Sequence, residues 1–212
     1  MAQNRIKTEG MLQRTLAKPV RCSGVGLHTG ATVTLTISPA EPNTGIVFRR
    51  SDLSGPAAVI PARWDHVVDT KLCTVIGNAY GTTIGTVEHL MSALAGCGVD
   101  NALVTLDNIE VPIMDGSAAP FVEAIERTGT VSQNAPRRAI RILKPVTVTE
   151  GNKSATFTPD HTTGFSFEID FASKAIAQQS HEVELDAETF RDEISAARTF
   201  GFLHEVEGLR KM

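Results

Sequence analysis

The chain echoes itself, and that repetition limits what it can fold into. Leu16-Ala17-Lys18-Pro19-Val20 returns 126 residues later as Ile142-Leu143-Lys144-Pro145-Val146. Leu35-Thr36-Ile37-Ser38-Pro39 returns after 120 residues as Ala155-Thr156-Phe157-Thr158-Pro159. Asn43-Thr44-Gly45-Ile46-Val47-Phe48 returns after 119 residues as Thr162-Thr163-Gly164-Phe165-Ser166-Phe167. The falling offset means that the second copy has the shorter first turn. Self-similarity of this kind marks a duplicated unit. Strands that come first and helices that follow put the unit in the α+β class. The expected fold is therefore a pair of duplicated two-layer α/β sandwich halves, residues 1–136 and 137–212, the second incomplete. The first half carries two helices. The second reaches one, capped by Asp186 and running to Ala197, with Ala187, Phe190, Ile194 and Ala197 inward. Leu203 to Met212 reads as partly helical, with no capping pattern that would close a domain.

The first half is punctuated clearly. Met1 to Leu12 reads as a loose leader. Arg14 to Arg21, Ala31 to Ser38, Ile46 to Arg50, Leu72 to Gly77 and Ala102 to Asp107 read as strands, the second alternating with period two. Residues 129–138, Gly-Thr-Val-Ser-Gln-Asn-Ala-Pro-Arg-Arg, read as a linker. Thr86-Val87-Glu88-His89-Leu90-Met91-Ser92-Ala93-Leu94-Ala95-Gly96 reads as a helix with a Thr N-cap and a glycine stop. Val87, Leu90, Met91 and Leu94 form its apolar stripe. His89 points roughly opposite that stripe and shares its face with Ser92, Ala93 and Gly96, small uncharged residues that imply something covers or approaches this side. A second helix, N-capped by Ser117 after the Asp115-Gly116 turn, turns Phe121, Val122 and Ile125 inward and ends near Gly129.

A carboxylate beside an imidazole in the first turn of a helix suits metal-assisted hydrolysis, in which one group ligates and the other moves protons. Hydrogen bonding between layers would explain the same pair. The six histidines include no H-E-x-x-H and no H-x-x-x-D, so no helix offers two ligands. His181 and His204, among acidic residues, read as solvated. The turn Ser23-Gly24-Val25-Gly26-Leu27-His28-Thr29-Gly30 fails the dinucleotide spacing, and no helix follows it. His28 is either a site residue or a turn residue bonding its own backbone. A hydroxyl at Thr199 could donate to a developing oxyanion, or Ala197–Phe202 could simply be a packed helix end. The net charge of −4 gives no footprint for nucleic acid. Three cysteines without a C-x-x-C pair suit reduced thiols in the cytoplasm. No segment reads as a signal peptide or a transmembrane helix.

Four stretches together, Gly24–Gly30 (G-V-G-L-H-T-G), Thr86–Gly96 (T-V-E-H-L-M-S-A-L-A-G), Ile113–Phe121 (I-M-D-G-S-A-A-P-F) and Ala197–Phe202 (A-R-T-F-G-F), resemble the UDP-3-O-acyl-N-acetylglucosamine deacetylase family. That family supplies the zinc amidase of lipid A biosynthesis in Gram-negative bacteria. The resemblance implies a duplicated α+β fold with the site between its halves, and release of acetate from a UDP-linked, 3-O-acylated N-acetylglucosamine. It implies that His89 is a Zn2+ ligand, that Glu88 is the general base and that Thr199 helps stabilise the oxyanion. It places His28, Phe200, Leu72 and Cys73 near substrate. The family's other two zinc ligands come from a later H-x-x-x-D helix, which this sequence lacks. The expectation is an N-terminal portion of a deacetylase that is inactive alone. The competing expectation is a non-catalytic module that binds a sugar nucleotide or a protein.

Overall fold

The computed structural model describes residues 12–202, and an interior strand of its largest sheet shows the alternation read from sequence. β3 (Thr32–Pro39) buries Val33, Leu35 and Ile37 and leaves Thr34 and Thr36 half-buried on its other face. It pairs antiparallel with β2 (Val20–Val25) on one side and β9 (Ala102–Leu106) on the other. β9 runs parallel to β4 (Ile46–Arg50), which pairs antiparallel with β5 (Val59–Pro61). The sheet order is thus β2-β3-β9-β4-β5. Leu35 faces Leu106 and Ile37 faces Val104, with Phe48 beside Val104, so one apolar face is shared across the sheet. Two helices in mutual contact, α1 (Glu88–Gly96) and α2 (Ala119–Thr128), contribute Leu90, Ala93, Leu94, Phe121, Val122 and Ile125 to the core. Each of these larger side chains, Ala93 apart, stabilises the fold by roughly 1.5–3 kcal/mol when fully removed from water.

Residues 129–138 are not a linker. Thr130–Pro136 is β10, which pairs antiparallel with β1 (Leu12–Leu16). An amide network ties this ribbon to the sheet. Asn101 Nδ2 donates to Gln13 Oε1 and to Gln133 Oε1, each at 2.8 Å, while its Oδ1 accepts from the Gly45 amide at 2.8 Å. Gln133 Nε2 in turn donates to the Ala40 carbonyl at 2.7 Å. A polar sequence reads as linker because its burial depends on partners more than 30 residues away.

Other expectations shift for local reasons. Leu12 belongs to β1 and not to a leader; the remaining leader residues lie outside those described. The strand expected over Arg14–Arg21 is two strands, because Pro19 lacks the amide a ladder needs. The strand expected over Leu72–Gly77 contracts to β7 (Val75–Gly77), between β6 (Val67–Asp69) and β8 (Thr83–Ile84), because Leu72 has φ 65°. Thr86 is not a cap: α1 begins at Glu88 after Val87, and Thr86 sits at φ 57° with its hydroxyl engaged elsewhere. Met91, expected in the stripe, is only half-buried, whereas Ala93 on the other flank is fully buried. Something does cover that flank. α2 follows Ala118 and not Ser117, although the Ser117 hydroxyl accepts from the Ala119 amide at 3.2 Å. Its stop at Gly129, φ 78°, is as read: glycine adopts that left-handed turn without a Cβ clash.

The described residues divide into two compact units, residues 12–137 with 191–202, and Arg138–Phe190. The second unit holds two hairpins, β11 (Val146–Glu150) with β12 (Lys153–Phe157) and β13 (Gly164–Asp170) with β14 (Gln178–Glu184). No strand joins β12 to β13 among the described residues. Asp186 caps as expected, its Oδ1 accepting the Glu188 and Thr189 amides at 2.9 and 2.8 Å. The helix behind it is shorter than expected. α3 covers Ala187–Thr189, and Phe190–Ile194 is a π-helical turn. Of the four expected inward residues, Phe190 is buried and Ile194 half-buried, while Ala187 and Ala197 are exposed. The expectations for His204 and Leu203–Met212 lie outside the described residues.

Candidate active site

Glu88 and His89 open α1, and packing of Val87, Leu90 and Leu94 sets the rotation of that helix. Both polar side chains stay half-buried. Glu88 Oε2 accepts the Thr74 amide at 3.0 Å, which brings the loop of Leu72 and Cys73 beside it. Leu72 is 64% exposed, and Cys73 Sγ lies 3.9 Å from where a Cβ on Gly85 would stand. His89 Nδ1 is buried and has no hydrogen-bond partner among the described residues. A buried ring nitrogen left so is costly unless something meets it.

His28 is exposed on its turn. The turn closes through Gly30 N donating to the Gly26 carbonyl and Gly26 N donating to that of Ala31, at 3.0 and 2.9 Å. Its anchor is Glu110, a residue the sequence reading passed over. Glu110 Oε1 accepts the His28 amide at 3.0 Å and the Thr86 hydroxyl at 2.9 Å. Glu110 Oε2 accepts the Thr29 amide at 2.9 Å and the Thr29 hydroxyl at 2.8 Å. Burial pushes the Glu110 carboxyl up, but these four donors outweigh it and hold the group below its ordinary value. The available signal was a single charge inside the apolar run Ile109-Glu110-Val111-Pro112-Ile113.

Thr199 comes to the same segment from the other side. Its amide donates to the Gly116 carbonyl at 2.9 Å, and its side chain is exposed. Phe200 is 57% exposed and meets Phe202 edge-on with centroids 6.1 Å apart, so this is not a buried helix end. Nearby, the Ser117 hydroxyl holds the Asp115 carboxyl below its ordinary value, with a smaller contribution from the charge of Arg198. Residues 109–116 thus connect the His28 turn, the start of α1 and Thr199. Among the described residues, neither Glu88 nor His89 hydrogen-bonds another of the predicted site side chains directly. Leu72, Thr86 and Met114 all adopt positive φ, at 65°, 57° and 54°. Such strain in residues with a Cβ gathers where a surrounding structure holds a site in shape.

A sequence model of the UDP-3-O-acyl N-acetylglycosamine deacetylase family matches residues 13–212. The chain belongs to this family. It is 50% identical over 202 residues to the UDP-3-O-acyl-N-acetylglucosamine deacetylase of Phenylobacterium zucineum, covering 95% of this chain and 69% of that protein. The deacetylase of Geobacter sp. strain M21 is 50% identical over 200 residues, covering 94% and 65%. That of Myxococcus xanthus is 52% identical over 200 residues, covering 94% and 63%. The chain spans about two thirds of the length of the curated relatives it matches.

Members of the family are zinc-dependent amide hydrolases of lipid A biosynthesis. The orphaned His89 nitrogen suits a residue awaiting a partner, but a catalytic zinc needs about three protein ligands. Among the described residues no group of three His, Cys, Asp or Glu side chains could hold a metal. The described residues therefore do not by themselves fit a complete zinc site. No helix among them is long and apolar enough to cross a membrane.

Proposed function

We propose that this chain carries the base and one metal ligand of a deacetylase acting on UDP-3-O-acyl-N-acetylglucosamine. The observation that carries this reading is the first turn of α1, where Glu88 is held by the Thr74 amide beside an imidazole with an orphaned nitrogen. Glu88 takes a proton from the attacking water, whose oxygen bonds to the acetyl carbon. The C–N bond then breaks, the amine takes up a proton, and acetate leaves. Thr199 donates its hydroxyl to the oxyanion, and His28, Leu72, Cys73 and Phe200 face the substrate; the exposure of His28, Leu72 and Phe200 supports a role in contact. His89 is the zinc ligand in this reading, and with no companion ligands among the described residues the chain alone is inactive or nearly so. Three free cysteines support a cytoplasmic setting.

The two units are, in the same proposal, copies of one plan, the second incomplete. Their register supports it: Val20 faces Ile37 and Cys22 faces Leu35, while Val146 faces Phe157 and Val148 faces Ala155, the partners that the sequence echo pairs. Zinc content after dialysis, on this chain and on His89→Ala, tests the assignment. The expected result is less than stoichiometric zinc, lowered further in the variant. One tightly held zinc, unaffected by His89→Ala, would refute the ligand role. The absence of a three-ligand group among the described residues favours a second reading, a sugar-nucleotide-binding module without catalysis. Binding of a UDP-sugar that is unchanged by Glu88→Gln, with no acetate released even when zinc is bound, would select it.

A further inference from the structure

Glu110 is a buried carboxylate that the proposed chemistry leaves unused. Only 3% of its surface is exposed, and the four donors on its carboxylate are all neutral. A buried charge is retained only where its hydrogen bonds offset the lost hydration. A glutamine of the same shape would present an NH2 group to donors, so four convergent donors require the carboxylate. The decisive atom is Oε1, which accepts from His28 on the glycine turn and from Thr86 just ahead of α1. One oxygen joins two segments that are more than 50 residues apart in sequence.

The surroundings fix this atom on both sides. Gly85 N donates to the Ile109 carbonyl at 2.9 Å, and Val111 N donates to the Gly85 carbonyl at 3.1 Å. Ile113 N donates to the Val25 carbonyl at 3.0 Å, seating the same strand against the turn. A Cβ on Gly26 would overlap both the Thr29 hydroxyl and the Glu110 carboxylate, so only glycine lets the turn close down on it. Thr86, at φ 57°, is held in its left-handed conformation two residues before Glu88.

We propose that Glu110 is a positioning residue that couples the Gly24–Gly30 turn to the start of α1, holding His28 in register with Glu88 and His89. The proposal rests on reading those residues as the site, and its test does not depend on activity or on metal. Thr29→Val removes one donor on the turn side and touches no α1 residue. Hydrogen exchange on the 212-residue chain reports two distant amides, Met91, bonded to the Val87 carbonyl, and Thr74, bonded to Glu88. Thr29→Val should speed both by about tenfold, the scale of one hydrogen bond to a charged group. Thr29→Ser, which restores the hydroxyl, should return both amides close to their original rates. In a Glu110→Ala background Thr29→Val should add nothing. Faster exchange confined to the turn would overturn the coupling and leave Glu110 a local anchor. An undiminished effect in the Glu110→Ala background would overturn it too. Should Glu110→Ala fail to fold, the contrast between Thr29→Val and Thr29→Ser still decides.

Discussion

The hairpin β2–β3 and the hairpin β11–β12 have matching register and opposite fates. In the first, Val20, Cys22 and Ile37 are buried; in the second, Val146, Val148 and Phe157 are exposed. Phe48 on β4 is fully buried, whereas Phe167, its echo on β13, is 51% exposed. The strands do not differ in kind, since each set pairs through full antiparallel ladders. The difference lies in what the ladders lean on. In the first unit β9 fills the space between β3 and β4, and two helices close the apolar face. In the second unit no described strand lies between β12 and β13. A strand pattern in sequence therefore announces a capacity for burial, which is realised only when the covering elements are present.

Truncating the two echoed phenylalanines should break this comparison or confirm it. Phe48→Ala should destabilise the first unit by about 3–5 kcal/mol in urea unfolding, the cost of emptying a packed site. Phe167→Ala should cost well under ~1 kcal/mol, as exposed substitutions do. Equal losses would mean that the second unit has a core after all. Next in size is Asn101→Ala, which removes the partner of the Gly45 amide and of the Gln133 oxygen and one of two donors to the Gln13 oxygen. Of these, the Gln13 oxygen keeps the Asn43 amide as a donor at 2.8 Å, so about 1–3 kcal/mol is expected from the Gly45 amide and the Gln133 oxygen left unmet. Thr147→Ala, which removes an exposed hydroxyl pair with Thr156 in the second unit, should stay within ~0.5 kcal/mol. The smallest difference is in pH dependence. Because the folded Glu110 carboxyl lies below its ordinary value, its stabilisation is complete above the unfolded pKa and is lost as pH falls through the folded one. Denaturation curves at falling pH should therefore be shallower in pH dependence for Glu110→Gln in the first unit only. An unchanged slope would mean that Glu110 is not the acid-sensitive carboxylate there.

Much of the first unit was legible because its signals are local. The period-two run of β3, the bounds of β4 and the glycine stops of α1 and α2 depend on residues within one element. β10 was not legible, since Gln133 is held by Asn101 and the strand is paired with β1, and nothing in Thr130–Pro136 announces either partner. The site divides in the same way. Glu88 and His89 stand out by their place in a helix pattern and by family resemblance. Glu110 showed only as a lone charge in an apolar run, because its meaning resides in four donors from two other segments. Thr86 was misread for a related reason. A Thr ahead of a helix is usually a cap, and here a long-range carboxylate claims its hydroxyl.

The β1–β10 ribbon sets an order of events during synthesis. β1 is made well before its partner, which ends at Pro136, and Asn101 and Gln133 must both exist before the amide network closes. Closing a loop of more than 110 residues is entropically slow compared with forming the adjacent β2–β3 hairpin. The nascent chain therefore carries β1 unpartnered while most of the first unit is translated. The β1–β10 ribbon can close once the ribosome has released Pro136, before the hairpins of the second unit and the residues 191–202 that return to the first unit have been made.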